Sequence, residues 1–369
     1  MSARIVLFGA TGYTGGRVAE EMVARGLRPV LAGRDPARLA ALADRLGGLE
    51  TATADVTDER SVAALVGQGD VLVSTVGPFL QLGRPAVAAA IGAGAIYLDS
   101  TGEPPFVRRV FEQHGPAAER AGATLLTAFG IDYVPGVLAG ALALRDAGAA
   151  AVRVDVGYFI TGAGRGQAFS RGTLRSVVGT AVEQSHAWRD GALRTEPAGA
   201  RLRTFDVAGR PRPGVTVGGS EQFALPRLAP GLRTVDVYLG WFGAASQAVH
   251  LGSRVTPLLG RVPGAGRALA AVAGFVTRTA SDAPSPEALA GMRSHVMAEV
   301  FDGTGTLLAR TQMTAPDAYA FTARLLAWGA GRAAEHGVRG SGALDPVTAF
   351  GLDELTAGAA EAGLVTDLS

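Results

Sequence analysis

Arg4-Ile5-Val6-Leu7-Phe8-Gly9-Ala10-Thr11-Gly12-Tyr13-Thr14-Gly15 runs from a short apolar, β-branched segment into three evenly spaced glycines. An alanine-rich amphipathic stretch, Gly15–Arg25, follows. Glycine is required where a chain turns sharply and where backbone must approach a pyrophosphate, and the last glycine lets a helix pack close to the strand. Unpaired N–H groups at the helix start then receive the phosphate charge. The spacing is Gly-x-x-Gly-x-x-Gly rather than the commoner Gly-x-Gly-x-x-Gly. The strand before it and the helix after it supply the context that such a motif needs. Gly9, Thr11, Gly12, Tyr13, Thr14 and Gly15 are therefore candidate dinucleotide-binding residues.

Downstream, the same alternation repeats. Strands are predicted at Arg4–Phe8, Pro29–Ala32, Glu50–Thr53, Val71–Val76, Ile96–Leu98 and Thr124–Thr127, with helices at Pro36–Leu46, Asp58–Gly67, Pro85–Ala93 and Pro105–Ala121. This pattern implies a Rossmann-type α/β fold, a doubly wound parallel sheet covered on both faces. Near Pro135 the pattern changes. A short helix (Gly136–Arg145) precedes an alternating strand at Val152–Ile160, and further strands are predicted at Arg203–Val207, Thr234–Leu239, His295–Phe301 and Thr306–Met313. Helical periodicity returns from Ala318 through Ala333, and again from Asp353 to the end. The expected organisation is a dinucleotide-binding domain of residues 1–134 plus about 318–369, with C-terminal helices returning to it, and an inserted α+β substrate domain of residues 135–317.

Cofactor preference is read at the end of the second strand, Leu31-Ala32-Gly33-Arg34-Asp35. An acidic residue there would take the ribose 2′-hydroxyl of NAD, whereas an arginine meets a 2′-phosphate with a planar fork. Gly33 and Arg34 occupy that place, Arg38 one turn later adds a second charge, and Asp35 suits a helix cap. The sequence thus points to NADP(H). Asp55 and Val56 follow the third strand, where the aspartate either accepts the adenine amino group or serves as a turn. Thr75, Val76, Gly77, Pro78 and Phe79 follow the fourth, where a rigid Gly-Pro turn would pass the nicotinamide ribose.

Composition narrows the chemistry. Among 369 residues, 18% are charged, and the formal net charge is +1. No basic block argues for nucleic acid. There is no cysteine, and all 34 basic residues are arginines, so thiolate and Schiff-base lysine chemistry are both excluded. The five histidines lack metal-ligand spacing, and no metal is expected. Ala268–Thr277, the most apolar later run, is half the roughly 20 residues that a bilayer span needs. With no signal-peptide pattern at the start, the protein is expected to be cytoplasmic and not integral to a membrane.

Taken together, Gly9–Gly15, Ala32-Gly33-Arg34, Thr75–Phe79, Tyr97-Leu98-Asp99-Ser100-Thr101-Gly102-Glu103, Phe129-Gly130-Ile131-Asp132-Tyr133-Val134-Pro135 and the C-terminal Leu344–Gly351 resemble the saccharopine dehydrogenase-like NADP-binding oxidoreductases. The branch that includes trans-acting enoyl reductases of lipid and polyketide assembly is the most similar. The resemblance implies hydride transfer and adds Thr101 and Gly102 to the cofactor-binding set. One departure stands out: such proteins commonly carry serine after the aspartate, and this chain has Tyr133.

Asp132 and Tyr133 lie just beyond the sixth strand, at the carboxyl edge where α/β sheets bind ligands. Tyr133 could donate the proton that follows hydride transfer. Alternatively, Asp132 caps the next helix and Tyr133 packs. Glu103 could bind substrate or cap a helix, and Ser170 and Arg171 could offer a hydroxyl and a guanidinium to a substrate. The leading expectation is an NADPH-dependent enoyl reductase or ketoreductase acting on a small-molecule, acyl or polyketide-like substrate in secondary metabolism or lipid assembly. Imine reduction joining an amine to a keto acid, with Arg165, Arg171 and Arg175 as carboxylate anchors, is the second reading. A non-catalytic NADPH sensor is the third. The apolar residues of the second domain suit a core, an acyl pocket or a homo-oligomer face.

Overall fold

The computed structural model describes residues 3–162, 184–241, 243–259 and 283–367. They form two compact units. The first comprises the chain up to Thr101, Phe106–Val134 and Ala318–Leu364; the second comprises Gly102–Pro105, Pro135–Asp317 and the chain from Val365.

The first unit is built on strands β1 (Ile5–Phe8), β2 (Val30–Gly33), β3 (Thr51–Thr53), β4 (Val71–Ser74), β5 (Ile96–Asp99), β6 (Thr124–Leu126) and, far along the chain, β15 (Gly342–Ala343). Their order is β15-β6-β5-β4-β1-β2-β3, parallel at every pairing. Val6, Leu7, Leu31, Leu72, Val73 and Leu98 are fully buried, as continuous apolar runs become when both faces of a parallel sheet are covered. The strand order reverses between β1 and β4, which is where such sheets open a crevice at their carboxyl edge.

Helices α1 (Tyr13–Ala24), α2 (Pro36–Arg45), α3 (Glu59–Ala63), α4 (Phe79–Leu82) and α5 (Arg84–Ala93) connect the first five strands. α3 is shorter than the expected Asp58–Gly67: past its cap at Ala64 the ladder tightens, the Leu65 N–H donating to the Val62 carbonyl at 3.2 Å, and the Leu65 carbonyl accepts from the Arg4 guanidinium at 2.8 Å. The expected single helix at Pro105–Ala121 divides into α6 (Pro104–Arg109), a π turn at Val110–His114, and α7 (Gly115–Ala121). Pro116 has no N–H for the preceding turn and its ring crowds the carbonyl four residues back, so the ladder widens there.

The second unit carries β7 (Arg153–Thr161), β8 (Gln184–Arg189), β9 (Ala192–Pro197), β10 (Leu202–Val207), β11 (Arg210–Val217), β12 (Thr234–Leu239), β13 (Arg293–Phe301), β14 (Leu307–Ala315) and β16 (Val365–Asp367). The order is β10-β11-β12-β7-β13-β14-β16, with β8 against β12 and β9 against β8. β7 and β12 run parallel, and the other pairs are antiparallel. Its helices are α8 (Val134–Ala147), which begins at the last residue of the first unit, α9 (Glu221–Leu228), α10 (Ser246–Leu259) and α11 (Pro286–Ala290).

Asp236, Asp155 and Glu299 stand on adjacent strands in direct register, and all three are buried. Arginines neutralise this row. Arg203 bridges Asp155 and Glu299, Arg310 pairs with Glu299, and Arg189 and Arg201 hold Asp236. Burial still pushes the Asp155 carboxyl up to about 6, against the opposing pull of Arg203 and Arg153.

Helices α12 (Ala318–His336), α13 (Pro346–Phe350) and α14 (Leu352–Glu361) complete the first unit. Helical structure does not reach the C-terminus as expected: the chain after Leu364 becomes β16, pairing with β14. Among the described residues no helix is long and apolar enough to cross a membrane.

Candidate active site at the carboxyl edge of the parallel sheet

The site grows from the loop that joins β1 to α1. Gly9 has φ +90°, and its N–H donates to the Ala32 carbonyl at 2.9 Å, tying the loop to β2. A Cβ on Gly9 would stand 2.7 Å from Thr75 Oγ1 and 2.9 Å from Val76 Cγ2. On Gly15 it would stand 2.2 Å from the Gly9 carbonyl oxygen. Both positions exclude any side chain. Gly12, at the head of α1, is exposed, and no side chain caps that helix. Thr11 and Thr14 are half-buried beside it, and the Tyr13 ring meets Tyr319 of α12 edge-on at 5.1 Å. The result is a bare-backbone cradle at an uncapped helix start, the environment that receives a phosphate.

Arg34, just past β2, is exposed and makes no hydrogen bond or ion pair among the described residues. Arg38 donates to the Thr11 carbonyl at 2.8 Å, bracing the glycine loop from α2. Asp35 caps α2, accepting from the Arg38 N–H at 3.1 Å, and so faces its own helix. Gly33 approaches Thr11, with an added Cβ 3.9 Å from Thr11 Oγ1. Asp55 spends Oδ1 on the N–H and hydroxyl of Thr57, both at 2.8 Å. These bonds, with a smaller effect from Arg34, hold its carboxyl below the ordinary range. Val56 is half-buried beside it.

Beyond β4, Thr75 is pinned to the end of β1: its N–H and hydroxyl both donate to the Phe8 carbonyl, and the hydroxyl also reaches Gly9. Val76 is half-buried, Gly77 is exposed, and the Gly77–Pro78 peptide is cis. Phe79 turns inward against Phe106, ring centroids 5.7 Å apart.

At the ends of β5 and β6 the structure adds residues that sequence reasoning missed. Asp99 is fully buried. Its Oδ1 accepts from the N–H groups of Thr101 and Ala128, both at 2.9 Å, and its Oδ2 accepts from the Thr127 hydroxyl at 2.8 Å. Burial drives the carboxyl up to about 6 against the pull of those donors. Two signals in the sequence mark it: its place in the Tyr97–Glu103 motif and an acidic residue closing an otherwise apolar strand, Ile96-Tyr97-Leu98-Asp99.

The segment after β6 carries Asp132 and Tyr133. Tyr133 is buried at φ +86°, left-handed backbone that bulky side chains seldom adopt. Asp132 is partly covered and forms no hydrogen bond or ion pair among the described residues, so it does not cap α8. Burial raises its carboxyl to about 7. Residues in such sparsely populated conformations cluster at functional sites, and so do carboxyls displaced this far. Thr101 is buried in the same unit, whereas Gly102 and the buried Glu103 group with the second. Ser170 and Arg171, like Arg165 and Arg175, lie outside the described residues.

These residues fit a nucleotide cofactor: the two positions a Cβ would fill, the uncapped helix start and the unengaged guanidinium all lie along one sheet edge. Residues 5–126 match the family model described as the saccharopine dehydrogenase NADP binding domain. A trans-acting enoyl reductase-like protein of Mycobacterium tuberculosis is 40% identical over 139 residues, 36% of this chain and 33% of that protein. The trans-acting enoyl reductase of Mycobacterium ulcerans is 36% identical over 137 residues, with the same coverage of each chain. The matched stretch thus spans about a third of these relatives' own length. Over 99% of both chains the fold is similar to apo saccharopine dehydrogenase (L-Glu forming) from Saccharomyces cerevisiae, with a TM-score of 0.60 at 16% identity. That likeness confirms the α/β architecture. Over residues 5–126 the chain is thus similar to the NADP-binding domain of saccharopine dehydrogenases.

Proposed function

We propose that this protein is an NADPH-dependent reductase that delivers hydride to a C=C or C=O bond of an acyl or polyketide-like substrate. The observation that carries the reading is the shared edge: cradle, Arg34 and the Asp132–Tyr133 segment all follow carboxyl ends of strands in one parallel sheet. The names of the matched relatives support enoyl reduction in particular.

Each residue then has a definite task. The glycine loop and the start of α1 hold the pyrophosphate with backbone N–H groups, and Arg34 pairs with the 2′-phosphate through its planar fork. Bound NADPH supplies the hydride. Asp132 is matched to neutral pH by its raised carboxyl, so it can hold the proton that the reduced product needs. Tyr133, in left-handed backbone, is the second donor in this segment. Such a reductase would work in the cytoplasm, in secondary metabolism or lipid assembly.

The test is NADPH oxidation against three substrate panels: enoyl thioesters, ketoacyl thioesters, and amine plus keto acid. Turnover of either thioester class supports the proposal and names the bond. Turnover only with the third replaces it with imine reduction. Tight NADPH binding with no turnover on any panel would make the protein a nucleotide sensor.

A further inference from the structure

We propose that Asp99 is a positioning residue for the proposed catalytic segment, holding the strand end that carries Asp132 and Tyr133 in one conformation. The inference rests on the reading of that segment given above.

Three consecutive residues of the segment hydrogen-bond to Asp99. The Thr127 hydroxyl donates to Oδ2 at 2.8 Å, the Ala128 N–H to Oδ1 at 2.9 Å, and the Phe129 N–H to the Asp99 carbonyl at 2.7 Å. Ala128 is thereby held at φ +60°, in left-handed backbone that alanine does not favour. Three residues on, the Ile131 N–H donates to Thr322 Oγ1 of α12 at 3.1 Å. The chain between these two anchors has little freedom, and Asp132 and Tyr133 follow it directly.

The carboxylate itself cannot meet a substrate, because it is fully buried and both oxygens are engaged. The ionisable group facing it is the Tyr97 phenol, two residues back on the same face of β5, pushed well above its ordinary value by burial first and by Asp99 second. No cation is among the groups acting on Asp99. This carboxyl makes no ion pair among the described residues; its bonds go to the Thr101 N–H at its own strand end and to the Thr127 hydroxyl and Ala128 N–H of the segment. That arrangement suits orientation of catalytic groups through their supporting shell.

The experiment compares Asp99→Asn, Asp99→Leu and Thr127→Val with the wild type. Asparagine keeps an acceptor for both N–H groups and offers a donor to the Thr127 hydroxyl, whereas leucine keeps neither. Readouts are NADPH dissociation constant by fluorescence, kcat on the substrate class that the panels identify, and titration of the Asp132 carboxyl by 13C NMR, assigned with Asp132→Asn. Expected is a kcat loss of about 100-fold for Asp99→Leu, larger than any loss of NADPH binding, which Asp99 touches only through the Thr101 N–H. Asp99→Asn should restore most of that loss. Asp99→Leu should also move the Asp132 titration from near 7 toward the ordinary carboxylate range as the segment opens to water. Thr127→Val removes one bond without changing side-chain shape, and should shift both readouts the same way by less; it decides the matter if the leucine variant does not fold. Unchanged kcat and titration would overturn the proposal, as would asparagine losing as much as leucine. Should no panel turn over, the functional reading fails, while the titration still tests Asp99 by itself.

Discussion

The Thr75 hydroxyl donates to the Gly9 carbonyl at 3.1 Å, clamping the glycine loop across the place where β1 and β4 part company. Gly9 is held at φ +90° by this contact, and its carbonyl also accepts from the Gly12 N–H at 3.0 Å. Gly15→Ala would drive a methyl group into that same carbonyl. Overpacking of this kind costs about 1–3 kcal/mol. Gly15→Ala should therefore lower the melting temperature and weaken NADPH binding by about tenfold or more, read by calorimetry and nucleotide fluorescence together.

Arg34→Ala should weaken NADPH binding by about 10- to 100-fold, since hydrogen bonds to charged groups contribute about 1.5–3 kcal/mol. NADH binding should not change, because the nucleotides differ only at the 2′-phosphate. Arg38→Ala breaks the bond to the Thr11 carbonyl, so it should weaken both nucleotides alike. Equal losses of NADPH and NADH in Arg34→Ala would contradict the assignment.

Stability should respond to pH through buried carboxyls. Asp99, Asp132 and Asp155 all titrate above the ordinary carboxylate value when folded, at about 6, 7 and 6. Across the interval from about 4 to 7 the folded state binds more protons than the unfolded one, and stability from these groups falls as pH rises. His114 and His295 act oppositely, because burial lowers both below 6.5 and folding excludes their protons. The difference between wild type and Asp132→Asn isolates one group. The variant should gain in urea midpoint relative to wild type as pH rises from 5 to 8, and a pH-independent difference would refute the shift.

Gly136→Ala offers a sign test. In an exposed helix, alanine for glycine stabilises by about 1 kcal/mol. Here the new Cβ would lie 2.0 Å from the Tyr158 hydroxyl and 2.3 Å from Glu221 Oε1, a buried pair bonded at 2.5 Å. The substitution should destabilise the protein instead, as a lower denaturant midpoint.

Removing Arg203 leaves Asp155 and Glu299 buried side by side. Stripping one partner from a buried ionic network costs about 3–5 kcal/mol. Arg203→Ala should show a loss of that order in equilibrium unfolding. Adding Glu299→Gln should recover part of it.

The parts legible in the sequence are those set by local pattern. Ile5–Phe8 and Val71–Ser74 are apolar throughout, so their burial in a parallel sheet follows from composition alone. Arg34 could be placed because strand-end position is a local property. β15, by contrast, is two residues, Gly342 and Ala343, too short for any periodicity and defined only by its register with Thr124 and Leu125. β8 and β9 carry polar side chains such as Gln184, Arg189, Arg194 and Glu196, which hide strand alternation. Asp99 stands in a recognisable motif, yet its role is hidden in the sequence because its partners Thr127 and Ala128 arrive 28 and 29 residues later. The unusual backbone at Tyr133 leaves no trace in residue type.

The late position of α12 in the chain has a consequence for how the molecule is made. α12 packs against α1, and its Ala334 carbonyl receives the Ala3 N–H at 3.1 Å. A ribosome releases the first six strands of the nucleotide-binding sheet nearly two hundred residues before this helix. Through that interval the inner side of α1 is without its cover, and most of the second unit, Pro135–Asp317, is translated in between. The sheet that would bind NADPH is the first to be started and among the last to be finished. During synthesis its bare apolar face is where a chaperone would have most to hold.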